Sequence, residues 1–337
     1  MKKSVLFGAL TVAGLVAGAA SANTLDEVRA RDALNCGVNT GLVGFAAPDA
    51  SGVWGGFDID LCRAVAAAIF GDPTKVNFIP TTGQTRFTSL AAGEVDMLAR
   101  NSTWTYSRDS DLKLDFVAVN YYDGQGFLAP IALGVSSAKE LDGATVCIQT
   151  GTTTELNLSD FFRVNNITYE PVVVANDAEA QAQYLAGACD VFTTDASGLA
   201  ATRATFENPG EHVILPEIIS KEPLGPVVRQ GDDGFFNIAR WTYFALLEAE
   251  ELGVSSANVD EMLASDNPAI KRLLGVEGDF GTPMGLTKDW AYQIIKLVGN
   301  YSESYEKHVG PSTAIGLARG LNALWKDGGI QYSPPIR

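Results

Sequence analysis

Two stretches of the chain carry the same pattern. Leu90-Ala91-Ala92-Gly93-Glu94-Val95-Asp96-Met97-Leu98 and Leu185-Ala186-Gly187-Ala188-Cys189-Asp190-Val191-Phe192 each read as a helix that ends at a glycine, followed by a strand that begins near an aspartate. Each strand then opens into polar residues, Arg100, Asn101, Ser102 and Thr103 in the first case and Thr193, Thr194 and Asp195 in the second. Open α/β sheets take their ligands at the carboxyl ends of their strands. Two such ends facing each other define a cleft, so the pattern predicts an α/β chain of two similar lobes.

The flanking sequence fits that reading. Leu34 to Val38 reads as a short buried strand, and Gly55-Gly56-Phe57-Asp58 turns into a helix whose apolar face runs through Leu61, Val65 and Ile69. The segments Tyr121 to Leu128 and Pro223 to Arg229 are extended and glycine-bearing, suited to crossing between lobes, although plain loops have the same composition. From Asp232 onward the chain reads as mainly helical: a stripe of Phe236, Ala239, Tyr243, Leu246 and Leu247, then segments near Asp289 to Val298 and Ala314 to Trp325. The expected division is a signal peptide over 1–22, a first lobe of 23–124 plus 226–337, and a second lobe of 125–225.

The N-terminus indicates the compartment. Lys2 and Lys3 precede a charge-free run from Val5 to Ala20, and Ala20-Ser21-Ala22 supplies the small residues of a cleavage site. The run is shorter than the roughly 20 residues of a spanning helix. Asn23 stands where a lipoprotein would need cysteine, so a free, periplasmic export product is expected. Removing 22 residues from 337 leaves 315, enough for two compact units. Removing two lysines from 24 basic residues against 40 acids leaves a net charge of −18. Such a chain repels nucleic acid and anionic lipid. Cys36, Cys62, Cys147 and Cys189 form an even set in an oxidising compartment, spaced too irregularly for a zinc site. Four cysteines allow three pairings; because two lie in an early segment and two in a middle one, one bridge per lobe is expected.

Three places carry binding chemistry. Gln149 to Glu155 follows the strand Thr145 to Ile148, and Thr152 with Glu155 has capping-box spacing. A helix start offers free amides and a positive dipole end, suited to a carboxylate; a simply capped helix is the other reading. Arg108 stands after Asn101, Thr103 and Thr105 at the end of the first lobe's strand. An arginine there is usually a solvated surface residue, but beside those hydroxyl and amide groups it can grip a carboxylate through a bidentate fork. Asp195, at the corresponding strand end of the other lobe, can accept from an ammonium group. A cation on one lobe and an anion on the other suit a zwitterion.

With these residues the chain resembles, over essentially its whole length, the amino-acid-binding proteins of polar amino-acid ABC importers. The similarity lies in Gly56-Phe57-Asp58-Ile59-Asp60-Leu61, in Thr105 to Arg108 before Asp115-Phe116, in the Gly-Thr-Thr segment from Gly151 and in the strand end at Asp195. Tyr121 to Phe127 and Ile218 to Arg229 resemble the long-chain subgroup that binds general L-amino acids or glutamate, glutamine, aspartate and asparagine. The resemblance implies a type II periplasmic binding protein fold with a two-segment hinge, a monomer without cofactor, a free L-amino acid as ligand and an inner-membrane ABC permease as partner. It implies that Arg108 and amides near Thr103 and Thr153 hold the α-carboxylate while Asp195 receives the α-ammonium. Family members often carry an acidic residue before this arginine, where Tyr106 and Ser107 stand here. By the same analogy the side-chain pocket draws on Asn39, Leu42, Phe45, Gln84 and Arg86, with Arg86 able either to pair a side-chain carboxylate or to lie on the surface.

Enzymes, dehydratases among them, share this fold, so a periplasmic lyase is the alternative. Such an enzyme needs a positioned acid or base in the cleft. Neither histidine, His212 nor His308, falls near the strand ends named above, and Asp195 beside Arg108 and a bound ammonium would stay ionised, which suits binding.

Overall fold

A computed structural model describes residues 23–337; the cleavage site and the preceding apolar run lie outside the described residues. Two five-stranded sheets form the framework. In the first the order is Val76–Pro80, Leu34–Val38, Met97–Leu98, Val227–Arg229, Leu114–Phe116. In the second it is Tyr169–Val174, Ala144–Gln149, Val191–Asp195, Gln125–Pro130, His212–Ile214. Within each sheet the first three strands are mutually parallel, and the fourth runs antiparallel to the third. That fourth position is filled in both by the strand the chain forms directly after crossing from the other sheet.

The crossings are themselves paired. Tyr121–Asp123 and Glu222–Leu224 form a two-stranded antiparallel ribbon with Glu222 opposite Asp123 and Leu224 opposite Tyr121. A ribbon of two short strands has few ladder bonds to resist a change of twist. The C-terminal segment braces one side of it: Asn322 accepts from the Tyr122 amide (2.7 Å) and donates to the Tyr122 carbonyl (3.1 Å).

The duplicated pattern takes the same form in both lobes. Helices Arg86–Ala91 and Asp177–Leu185 are followed by Gly93 and Gly187, whose φ values of +74° and +73° are the left-handed turn that releases the chain into the strands at Met97 and Val191. Each lobe is stapled at its sheet. Cys36 in the strand Leu34–Val38 is bonded to Cys62 in the helix Phe57–Phe70 with Cα atoms 6.2 Å apart, and Cys147 is bonded to Cys189 at 5.6 Å.

The helix Asp233–Glu251 packs against Phe57–Phe70 in the first lobe, burying Phe235, Ile238, Ala239, Tyr243, Leu246 and Leu247. Its stripe therefore includes Phe235 and leaves Phe236 partly exposed. Trp290–Leu297 is helical as its periodicity predicts, but Ala314 to Trp325 is not. Gly316 and Gly320, with φ of +71° and +48°, interrupt it, and only a turn of 3-10 helix at Gly320–Asn322 forms. Among the described residues, no helix is long and apolar enough to cross a membrane.

Candidate functional site

The strand ends of the two lobes meet around a small cavity, walled from the first lobe by Arg86, Arg100, Asn101 and Thr103 and from the second by Gln149, Thr152, Thr153, Thr154, Thr194 and Asp195. Asn101 adopts φ +30°, unusual for a residue with a side chain, and so turns the chain sharply at the end of the strand. Its amide donates to Asp58 Oδ2 (3.3 Å) and its side-chain carbonyl accepts from Asn39 Nδ2 (3.2 Å). Asn39 Nδ2 also reaches Asp177 Oδ2 of the second lobe at 3.0 Å.

The second lobe's contribution begins at a helix start. The helix spans Thr154–Asn165, one residue later than the Thr152/Glu155 spacing predicts. Gly151, at φ +72°, turns the chain first, so Glu155 reaches back to the Gly151 amide (3.1 Å) and the Thr152 hydroxyl donates to the Gln149 carbonyl (2.7 Å). The helix start faces the cavity through Thr152, Thr153 and Thr154. Here the lobes approach so closely that a Cβ on Gly83 would lie 2.8 Å from the Thr150 carbonyl oxygen.

Three arginines are buried around the cavity: Arg86 and Arg100 at 2% exposure, Arg108 at 7%. Among the described residues none of them forms an ion pair. Arg100 Nε donates to the Thr81 carbonyl (3.0 Å) and Arg108 Nη1 to the Thr103 carbonyl (2.9 Å), while Arg86 Nη2 makes only a long contact to the Gly151 carbonyl (3.5 Å). Arg86 and Arg108 both face the ring of Phe87, 4.7 and 5.1 Å from its centroid. Burial lowers the pKa of all three; that of Arg108 falls to about 10, with Glu222 and Asp195 opposing the fall, so it stays a cation at neutral pH.

Acids gather on the opposite side. Burial holds the Asp195 carboxyl well above the ordinary carboxylate range, the neighbouring Asp123 and Glu222 charges add to the rise, and an Asn101 hydrogen bond and Arg86 oppose it. Asp123 is pushed up to about 6, chiefly by burial. Glu222 is held from both lobes: it accepts from Thr103 (2.5 Å) of the first and from Thr153 (2.9 Å) and Asn157 (2.6 Å) of the second.

The sequence matches the model of the bacterial extracellular solute-binding proteins, family 3, over residues 34–272. The chain belongs to that family. Within it, the chain is 64% identical to the glutamate/glutamine/aspartate/asparagine-binding protein BztA of Rhodobacter capsulatus, over the whole of both chains. It is 59% identical to the general L-amino acid-binding periplasmic protein AapJ of Rhizobium johnstonii, again over the whole of both. A solved periplasmic binding protein of an ABC transporter from Brucella ovis, with glutathione bound, is 56% identical and superposes with a TM-score of 0.92 over 94% of this chain and 100% of its own. These family members are named as binding proteins, and the lyase alternative is not favoured. Both histidines are engaged away from the cavity, His212 with Tyr184 and His308 with Asp60.

Of the residues singled out from sequence, Arg86, Asn101, Thr103, Thr152, Thr153 and Asp195 meet at the cavity wall, with Asn39 bridging the lobes through Asp177. Arg108 lies behind Thr103. Phe45 does not reach the cavity: it is 1% exposed and packs edge-on against Phe57 and Tyr121 in the first lobe's aromatic core. Sequence reasoning placed Arg100 at a strand end and Gln149 before a helix start without assigning either to the ligand, and it passed over Glu222. The position of Arg100 at a strand end was the available signal; for Glu222, a charged residue in a crossing segment, a buried role has no local signature.

Proposed function

We propose that this protein is the substrate-binding component of an ABC importer for free L-amino acids, and that its two lobes close around the zwitterion. The observation that carries the reading is the distribution of charge at the cavity. Asp195, a buried acid, lines it from the second lobe, and Arg108, a buried cation without an ion-pair partner among the described residues, stands behind the first-lobe wall at Thr103, to whose carbonyl it donates. Arg108 with the amides near Thr103 and Thr153 receives the α-carboxylate, and Asp195 receives the α-ammonium. Thr152 and Asn101 complete the polar wall, and Arg86 lies toward the side chain.

The lobes divide at the paired crossings, into 23–124 plus 226–337 and 125–225, and the two-stranded ribbon is the hinge. Contacts from both lobes give the closed form the ligand's differential affinity, which shifts the population toward closure. Periplasmic export is supported by the N-terminal signal pattern and by the two disulfides, with a monomer delivering its ligand to an inner-membrane permease.

A thermal-shift panel on the mature protein tests this. Free L-glutamate, glutamine, aspartate and asparagine are expected to raise the melting temperature, and N-acetylated forms, which lack the ammonium group, are not. Glutathione belongs in the panel because its γ-glutamyl end carries a free α-carboxylate and α-ammonium. Stabilisation by N-acetyl-glutamate equal to that by glutamate removes the role given to Asp195.

A further inference from the structure

Residues 273–337 lie beyond the segment that matches the family model, and what they add to the fold is read from their own contacts. They form the helices Trp290–Leu297 and Tyr301–His308 on the first lobe, then a strap that closes over the outgoing crossover. The Tyr301 hydroxyl donates to the Asn120 carbonyl (2.8 Å), and Gln331 Nε2 donates to the Val119 carbonyl (3.2 Å). Asn322 takes both polar groups of Tyr122, its Oδ1 accepting from the amide and its Nδ2 donating to the carbonyl. Arg319 holds Asn322 in turn, donating to its carbonyl from Nε (3.1 Å) and Nη2 (3.0 Å) while pairing with Glu250 (2.9 Å).

Tyr122 needs such a partner. It stands opposite Pro223 in the ribbon, and a proline has no amide to offer its carbonyl. The Pro223 carbonyl in turn accepts from the Trp104 amide (2.8 Å) on the ribbon's other edge. The side-chain amide of Asn322, with a donor and an acceptor side by side, does for Tyr122 what a neighbouring strand would do. Asn322 is 3% exposed, so water does not compete for these bonds.

The next residue is held by the other lobe. Asp123 accepts from the Ser197 amide (3.2 Å), and the Gly124 carbonyl accepts from the Ala196 amide (2.8 Å), both at the start of the second-lobe helix Ala196–Arg203. Anchoring to the first lobe thus ends at Tyr122, and anchoring to the second begins at Asp123.

We propose that the C-terminal strap is a hinge brace. Asn322, a positioning residue outside the cavity wall, fixes the outgoing crossover to the first lobe through Tyr122, confines its rotation to the Tyr122–Asp123 junction and so sets the balance between open and closed forms. Without the brace the ribbon gains more freedom when the lobes are apart than when contacts between them hold it, so loss of the brace favours the open form. The inference rests on the hinged closure proposed above.

Calorimetric titration of the mature protein and of Asn322→Ala with L-glutamate, L-glutamine and L-alanine, joined to small-angle scattering without ligand, tests it. Asn322→Ala is expected to weaken every ligand that the unmodified protein binds by the same factor, about five- to tenfold, and to enlarge the radius of gyration of the unliganded protein. Unchanged affinity and scattering beside a lower melting temperature would mean that these bonds serve stability alone, and overturns the proposal. A loss confined to one ligand overturns it as well. Should Asn322→Ala not fold, amide hydrogen exchange in the unmodified protein decides: the brace requires the Tyr122 amide to exchange as slowly as the first-lobe strands both with and without L-glutamate, and fast exchange before the ligand is added contradicts it. Failure of every free amino acid to bind overturns the amino-acid reading instead, and scattering and exchange still judge the brace.

Discussion

Thr103 of the first lobe and Thr153 of the second stand 3.4 Å apart through their hydroxyl oxygens, and both donate to one carboxylate oxygen of Glu222 on the returning crossover. A single hinge residue thus ties the two walls of the cleft together. Glu222 is 1% exposed, so these bonds form out of competition with water.

Removing that tie loosens closure. Glu222→Ala leaves Thr103, Thr153 and Asn157 without their shared acceptor, at a cost of about 3 kcal/mol to the closed form. The expected outcome is at least a tenfold loss of ligand affinity and a larger radius of gyration in small-angle scattering of the unliganded protein. An unchanged scattering curve together with unchanged affinity removes Glu222 from the hinge mechanism.

Gly83 provides a cleaner lever on closure, because its own backbone conformation tolerates a side chain. A Cβ there would meet the Thr150 carbonyl oxygen at 2.8 Å and Thr152 Cγ2 at 3.3 Å, both on the opposite lobe. Gly83→Ala should hold the lobes slightly apart, weakening binding about tenfold, or 1.4 kcal/mol, with little change in the unliganded melting temperature. A fall in melting temperature without a fall in affinity contradicts this.

Each disulfide closes a long loop, with separations of 26 and 42 residues. Paired Cys→Ser replacement at Cys36 and Cys62, or at Cys147 and Cys189, is expected to cost about 3–4 kcal/mol. Chemical denaturation of each double variant measures it. A loss under about 1 kcal/mol would mean that the constraint on the unfolded chain contributes little.

Burial raises Asp123 from its ordinary 3.8 to about 6, so the folded protein holds a proton there that the unfolded chain releases near pH 4. The contribution to stability is fully present below about pH 4 and is lost as pH rises through about 6. Asp123→Asn should therefore be relatively more stabilising at pH 7.5 than at pH 5, by on the order of 1–3 kcal/mol. Burial and the neighbouring Asp123 and Glu222 raise the Asp195 pKa; binding an ammonium beside it favours the ionised carboxylate, so ligand uptake should release protons. Titration in buffers of different ionisation enthalpy reads this directly, and proton uptake is the contrary result.

The architecture was legible because it was written twice. The helix–glycine–strand pattern at Gly93 and at Gly187 recurs at equivalent places in two sheets of the same order, and the strand ends it pointed to face each other across the cavity. Local signals failed where tertiary packing decided. Phe45 is drawn into an aromatic cluster with Phe57 and Tyr121 that no spacing rule displays. The spacing of Thr152 and Glu155 marked a helix start, but the capping box itself does not form: with Gly151 left-handed, Glu155 accepts from the Gly151 amide, Thr152 donates to the Gln149 carbonyl and the helix begins at Thr154. Arg100 and Glu222 acquire their surroundings from segments distant along the chain, Thr81 for one and both lobes for the other.

The most direct test of the account is the affinity of mature protein for L-glutamate with and without Arg108. Calorimetry is expected to show one site in the unmodified protein and a loss of at least tenfold in Arg108→Ala, the value of a charge-assisted contact of about 1.5–3 kcal/mol, with the melting temperature of the unliganded variant unchanged. Retention of full affinity in Arg108→Ala would contradict the α-carboxylate grip, and absence of binding in the unmodified protein to every free L-amino acid would contradict the function.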